Sequence, residues 1–354
     1  MYMGKEVIVL LTMILIAGFA NCGEENWPSK WRILALEGGG DKGSFQVGVL
    51  KAFAEVLKTK EMEYDVVTGV SVGSINAMAF ALHEIGTEKK CINWMEMMWR
   101  NLTAKDIYDS WMFGVTQGLF FEEGLLNNKN EIEFLANVFD EFKEKGIRRK
   151  LEINTVDIDS GEVVRFNETG EWESFPPKVV ASTAMPFAFP HLHYKNHTYV
   201  DGGSIWNIDI SFGIKRCLET HSQKNIIIDV LLCDGLQLAS LNNTQSFNTF
   251  QNYFRYLEFQ YYYSVMSDLN EIIRAYPDVN WRYVVFPTEP LPTFYIPLGF
   301  NPESIREMIE FGYNDGHKVL EEYPKGNCDI VAEIVDKLHK VYDPETTKSY
   351  KNKM

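Results

Sequence analysis

The sequence predicts an α/β protein with a mainly parallel central sheet between helical layers, and three observations carry that prediction. Two strand–turn–helix units follow one another early in the chain, and strands joined through helices lie parallel. A later run, Asn225 to Leu232, is apolar almost without interruption, as a strand covered on both faces would be. The composition agrees: 354 residues, 45% hydrophobic and 14% aromatic, bury a large core and exclude disordered, fibrous and low-complexity classes.

The chain opens on Val7 to Ala20, VIVLLTMILIAGFA, behind a single Lys5, with small Gly18 and Ala20 ahead of a cut at Asn21. This is the pattern of a secretory signal peptide over residues 1–20, since the run falls short of the roughly 20 apolar residues that span a bilayer. One α/β domain is expected over 31–340. Its first strand, Arg32 to Glu37, meets Gly38-Gly39-Gly40, after which Phe45, Val49, Phe53, Val56 and Leu57 recur at helical spacing. The unit repeats: Tyr64 to Thr68 is a β-rich run, Gly69 to Gly73 a turn, and Ser74 to His83 a helix with Ile75, Met78, Ala79 and Leu82 on one face. Further strands are expected at 151–157, 162–166, 197–200, 225–232 and 281–286, with covering helices at 90–100, 129–144, 247–275 and 302–322. The polar tail, 343–354, is expected to be loose.

Charge excludes one large class of partner. With 34 basic and 49 acidic residues the net charge is −15 and no Lys/Arg-rich run occurs, so nucleic acid is not expected to bind. Anionic headgroups would be repelled too, so any transient contact with a membrane surface has to be local and apolar. Asn101, Asn167, Asn196 and Asn242 each head an Asn-x-Thr sequon, which suits a glycoprotein of the secretory pathway, secreted or lumenal in a vacuole- or lysosome-like compartment. Five cysteines (Cys22, Cys91, Cys217, Cys233, Cys328) show no CxxC spacing, which speaks against a zinc site and leaves room for one or two disulfides. Cys233, in an apolar run, reads as a buried free thiol.

Gly69-Val70-Ser71-Val72-Gly73 is G-x-S-x-G between a strand and a helix, where a sharp turn would hold a serine hydroxyl clear of the backbone. The plainer reading is a glycine-rich turn with a helix-capping serine. Gly38 to Gly43 formally matches G-x-G-x-x-G. A dinucleotide site needs an acidic residue at the end of the second strand, however, and Asp65 lies at its beginning. Lys42 precedes the closing glycine, so the loop is not a Walker A loop either. Its amides, backed by a helix N-terminus, can instead stabilise a negative oxygen. Asp201-Gly202-Gly203 alone reads as a common turn.

These three motifs, in this order, resemble the patatin-like phospholipase family over about residues 31–213. Ala181-Ser182-Thr183-Ala184-Met185-Pro186 is similar to the family's small-residue helix and proline bend. The resemblance implies a three-layer α/β/α fold and lipid acyl hydrolase activity on phospholipids or lysophospholipids. By it, Ser71 is the nucleophile, Asp201 the proton acceptor, Gly69 and Gly73 the frame of the nucleophile turn, and Gly38, Gly39, Gly40, Lys42 and Gly43 the oxyanion hole. It implies a Ser-Asp dyad that needs no metal, cofactor or catalytic histidine. The chain departs from the family at Asp41, where an uncharged residue is more usual. A carboxylate beside a developing oxyanion is unfavourable unless it faces Lys42 or solvent.

The dyad is coherent chemically, because an aspartate in hydrogen-bond reach of a serine hydroxyl can take its proton during attack on an ester and later assist water. A Ser-acid-His triad stays open, with His221, His317 or His339 as base if Asp201 is the acid. His191 and His193 alternate after Pro190 and read as surface or loop residues. A catalytically idle storage or lipid-binding glycoprotein also stays open. Trp111-Met112-Phe113 with Leu119-Phe120-Phe121, and the run Phe250, Tyr253, Phe254, Leu257, Tyr261, are rich enough to line an acyl groove or touch a bilayer. The second set keeps helical spacing and is expected to pack in the core.

Overall fold

Alternation along the first strand separates the layers, because successive side chains of a strand point to opposite faces. The computed structural model describes residues 30–327 apart from 237, 239, 240, 242, 243, 294 and 295. The apolar run of 1–20, Cys22, Asn242, Cys328, His339 and the 343–354 tail therefore lie outside the described residues. In β1 (Trp31–Leu36), Leu34 and Leu36 enter one hydrophobic core, and Ile33 and Ala35 enter the other. The two anticipated units follow as α1 (Gly43–Val56), β2 (Val66–Val70) and α2 (Val72–Ala81). Next come α3 (Glu88–Asn101), α4 (Ala104–Ile107), α5 (Gly114–Phe121) and α6 (Lys129–Asp140), then β3 (Lys150–Asp157) and β4 (Glu162–Asn167). After α7 (Phe175–Thr183), the short hairpin of β5 (Leu192–Tyr194) and β6 (His197–Asp201) leads to α8 (Ile210–Leu218) and β7 (Ile226–Leu231). Then α9 (Thr249–Ala275), β8 (Asn280–Val285) and α10 (Pro302–Glu322) complete the described chain.

The strands form one sheet of order β5-β6-β3-β2-β1-β7-β8, with β4 paired to β3 off that path. From β3 to β8 the neighbours are parallel, whereas β4, β5 and β6 pair antiparallel. Helices α1, α2, α3, α6, α7 and α10 pack on one face, and α8 with the C-terminal half of α9 on the other. The chain thus adopts the anticipated α/β/α layering, and β7 is buried along its whole length as its apolar run required.

Several element ends shift by one or two residues from expectation, and two of the shifts have a clear cause. The strand expected at 64–68 runs on to Val70, because Gly69 and Val70 pair with Ile153 and Asn154 of β3 and the turn begins only at Ser71. The helix expected over 129–144 stops at Asp140, where Phe142 and Lys143 instead donate to Phe139 and Asp140 in successive tight turns. That extension of β2 places the site. Along one edge β3 carries β4, while along the other it pairs with β2 as far as Asn154 and with β6 from Thr155 onward. The last residue of β2, Val70, lies opposite Asn154, and the last of β6, Asp201, lies opposite Thr155, so the two strands meet end to end on one rail.

A buried ion pair joins the β7 and β8 edge of the sheet. Asp229 is fully buried and accepts from Arg282 Nε at 2.9 Å and from the Tyr64 hydroxyl at 2.7 Å. Burial pulls the guanidinium of Arg282 down, but Asp229 outweighs it, so its pKa ends above the ordinary arginine value. Breaking such a pair leaves a charge without a partner, which costs about 3–5 kcal/mol. Asp229→Ala is therefore expected to lower the unfolding free energy by that much, seen as a lower denaturant midpoint at unchanged slope, and a loss below about 1 kcal/mol would contradict it.

Candidate active site

At the end of β2 the chain turns on Ser71, whose φ of 53° and ψ of −129° lie outside the usual regions for a side-chain-bearing residue. Such a conformation persists only where its surroundings over-determine it. Here they do. A Cβ on Gly69 would lie 2.2 Å from the Gly73 carbonyl oxygen, and one on Gly73 would lie 2.3 Å from that of Leu36, so both positions exclude larger residues. The Ser71 N–H donates to Ser182 Oγ at 2.9 Å, and the Ser182 hydroxyl donates onward to the Asn154 carbonyl at 2.6 Å. The Ser71 side chain makes no capping bond to α2, so the plainer reading of a helix-capping serine is not what the fold adopts.

Asp201 closes β6. Its N–H donates to the Ala184 carbonyl at 2.9 Å, and its Oδ1 accepts the Gly203 N–H at 2.8 Å. The Ser71 hydroxyl lies close enough to the same carboxyl group to favour its ionised form. Burial pushes the Asp201 pKa up to about 6, against the nearby Ser71 hydroxyl and the Gly203 N–H, which favour its ionised form. A second buried carboxyl, Glu131, stands behind it, bonded at 2.6 Å by the Thr183 hydroxyl and pushed up to about 7 by burial. Among the described residues no histidine is bonded to Ser71 or Asp201: His221 meets Thr220 and Trp31, and His317 meets Glu55 and Tyr313. His191 and His193 face Glu123 near the surface, where they were expected. Among the described residues, no group of three or more His, Cys, Asp or Glu could hold a metal ion.

The triple glycine lies against this pair. A Cβ on Gly38 would sit 2.8 Å from the Ser71 Cβ, so only glycine lets the loop approach the serine. The N–H groups of Gly38, Asp41, Lys42 and Gly43 are donated to backbone carbonyls of Asn207, Pro297, Gly39 and the loop itself. Those of Gly39 and Gly40 have no partner among the described residues. Lys42 Nζ is engaged by Asp234 at 2.6 and 2.8 Å. Asp41 faces neither Lys42 nor solvent as its chemistry had required. It is buried and turned toward the 293–299 segment, where it accepts from Thr293 Oγ1 at 2.7 Å and from the Gly299 N–H at 3.0 Å. Behind the loop Glu37 is buried, and burial together with Asp234 pushes its carboxyl up to about 8.

Comparison with protein families matches residues 34–212, just over half of the 354, to the model of patatin-like phospholipases. The chain belongs to the patatin-like phospholipase family. All three motifs fall inside that span, and family membership supports lipid acyl hydrolase activity. Comparison with the curated proteins gives no significant match. Among solved structures, VipD from Legionella pneumophila is similar at 14% identity over 84% of this chain and 67% of that one, with a TM-score of 0.38. A chain of the heterodimeric ExoU–SpcU complex from the type III secretion system of Pseudomonas aeruginosa is similar at 12% identity over 84% of this chain and 52% of that one, with a TM-score of 0.36.

In this patatin-like chain the aromatic run on α9 corrects the expectation of core packing. Phe250, Tyr253, Tyr256 and Leu257 are exposed, and only Val265, Met266, Leu269 and Ile273 in its second half are fully buried. Trp111 to Phe121 contains no charged residue, and Met112, Phe113, Phe120 and Phe121 are 71–88% exposed. Of the described sequons, Asn101 and Asn196 are exposed and Asn167 is half-buried. The described cysteines, Cys91, Cys217 and Cys233, are free and buried, with no disulfide between them. The motifs do not single out Ser182, Asn154 or Asn207, which bond the serine turn or the glycine loop directly or through one another, or Glu131, which Thr183 bonds and on whose carboxyl the Asp201 charge acts. Ser182 lay inside the quoted small-residue helix without a role. Ser182→Ala removes the acceptor of the Ser71 N–H, and a buried donor left without a partner costs about 1–3 kcal/mol. Equilibrium unfolding should show that loss, and wild-type stability in the variant would mean that the turn holds its shape without Ser182.

Proposed function

We propose that the chain hydrolyses carboxylic esters of phospholipids or lysophospholipids through an acyl-enzyme on Ser71, with Asp201 as general base. The observation that carries this reading is the Ser71 hydroxyl set against a buried carboxyl at the meeting point of β2 and β6. Ser71 Oγ attacks the ester carbonyl while its proton passes to Asp201, and the carbonyl electrons collect on oxygen. The unengaged amides of Gly39 and Gly40 stabilise that oxyanion, each donor being worth about 10²–10³ in rate. Collapse of the intermediate expels the alkoxide of the glycerol backbone, which takes the proton from Asp201. Water, deprotonated by Asp201, then attacks the acyl-serine, and the returning proton restores the Ser71 hydroxyl as the fatty acid leaves. Every proton in the cycle passes through one carboxyl group. In this scheme the chain needs neither a histidine nor a cofactor.

The lipid enters from a bilayer at the apolar segment around α5. Leu125 and Leu126 donate to the Phe187 and Ala188 carbonyls at 3.0 and 2.9 Å, tying that segment to the loop that begins at Ala184, the acceptor of the Asp201 N–H. With a net charge of −15 the favourable surface is zwitterionic, so the contact depends on buried apolar area and not on anionic headgroups. Export fits the apolar run of 7–20 and the exposed sequons at Asn101 and Asn196.

Acyl release measured on phospholipid and lysophospholipid substrates tests the reading, with chelator present to test metal independence. Since Asp201 works only when ionised and its carboxyl is held at about 6, kcat/KM should rise with pH through about 6 and level off above it. Asp201→Asn should lose about 10²- to 10⁴-fold above pH 6 and show no rise through that pH. A flat profile, or full activity in Asp201→Asn, would contradict the assignment. For the membrane contact, the inactive Ser71→Ala chain should sediment with phosphatidylcholine vesicles. Adding Phe120→Ser and Phe121→Ser should weaken that binding at least about tenfold, given roughly 1.5–3 kcal/mol per buried Phe. Undiminished binding would place the contact elsewhere.

A further inference from the structure

The Gly38–Gly39 peptide is clamped from a direction that the three motifs do not reach. The Gly38 carbonyl accepts two hydrogen bonds, from Asn207 Nδ2 at 2.9 Å and from the Tyr261 hydroxyl at 3.2 Å. Asn207 Nδ2 also donates to the Tyr261 hydroxyl, and that hydroxyl bridges to Glu37 Oε1 at 3.1 Å. The Gly38 N–H in turn donates to the Asn207 carbonyl at 3.0 Å. Asn207 Oδ1 wedges the two halves of the site, lying 2.3 Å from where a Cβ on Gly38 would be and 2.5 Å from where one on Gly203 would be. Tyr261 comes from α9, beyond the 34–212 span that matches the family.

A peptide unit is planar and trans, so its carbonyl and the following N–H point in opposite directions. Holding the Gly38 carbonyl into Asn207 and Tyr261 therefore aims the Gly39 N–H the other way, and that amide is one of the two left unengaged in the loop. We infer that Asn207 and Tyr261 are positioning residues that fix the Gly39 N–H for the oxygen that becomes negative during acyl transfer. Neither touches the substrate. Their contribution is preorganisation: a donor already aimed at the developing charge costs no reorganisation when the reaction occurs. The inference rests on the acyl-transfer reading of Ser71 and adds to it a route by which α9 sets the rate.

The test uses the full chain with a soluble p-nitrophenyl ester and a trifluoromethyl ketone, which forms a tetrahedral adduct with an active serine. Tyr261→Phe keeps the ring and removes only the hydroxyl, and Asn207→Asp keeps the shape and removes the donor. Both should lower kcat at unchanged KM, by about tenfold, less than the 10²–10³ expected from deleting an oxyanion donor outright. Affinity for the ketone should fall in parallel, because it mimics the transition state, while the melting temperature of Tyr261→Phe stays at the wild-type value. Wild-type kcat in Tyr261→Phe overturns the inference. So does a fall in kcat with no change in ketone affinity, or one matched by a fall in melting temperature, as a purely structural role would give. Absence of turnover in the wild-type chain overturns the acyl-transfer reading and this inference with it.

Discussion

One edge of β3 holds the candidate site together. Asn154 receives the end of β2 and Thr155 the end of β6, so a parallel and an antiparallel partner meet head to head at adjacent residues of one strand. A one-residue slip of either strand would turn its side chains to the opposite face and separate Ser71 from Asp201. Side chains reinforce the register. Ser182 links the Ser71 N–H to the Asn154 carbonyl, and Thr155 Oγ1 bonds the carbonyls of Ala181 and Val200 at 2.8 and 2.7 Å, which ties α7 and β6 to the same two residues. The strained backbone of Ser71 is thus held by packing, by its flanking glycines and by one polar relay.

Carboxyl burial sets the electrostatics of this acidic chain. Burial raises Asp201 to about 6, Glu131, Glu152 and Asp268 to about 7, and Glu37 to about 8. Folding favours the protonated form of each, so the stabilisation they give is whole below about pH 4 and lost as pH rises through 6 to 8. On the proposed mechanism Asp201 acts only when ionised. Catalytic competence is then gained over the same pH window in which the fold gives up stability.

Strand patterning made the sheet legible before any coordinates, because strands buried on both faces, such as β7, are apolar without a gap and bounded by turn residues. Less legible were α5, α7 and α8. Their sequences carry Gly114 and Gly118, Pro176 and Pro177, and Gly213, which read as breakers until prolines at a helix start and glycines at close contacts are seen in place. The end of β2 was misplaced by two residues because Gly69 looks like a turn and only its pairing with β3 makes it strand. The serine turn, the glycine loop and Asp201 carry local motifs. Ser182, Asn207 and Tyr261 do not: each is a single polar residue that meets the Ser71 turn or the Gly38 carbonyl only through the fold, from 111, 169 and 223 positions away in sequence. The aromatic spacing on α9 shows a helical stripe but not what covers it, and Phe250, Tyr253, Tyr256 and Leu257 in its first half are exposed.

On the proposed mechanism Ser71 is nucleophilic because the nearby Asp201 carboxylate accepts its proton. Peptide-resolved mass spectrometry after treatment with a fluorophosphonate probe addresses it directly. A single adduct is expected on Ser71, at least about a hundredfold slower to form in Asp201→Asn and absent from Ser71→Ala. An adduct on another residue, no adduct in the folded wild-type chain, or labelling at full rate without the Asp201 carboxylate would contradict it.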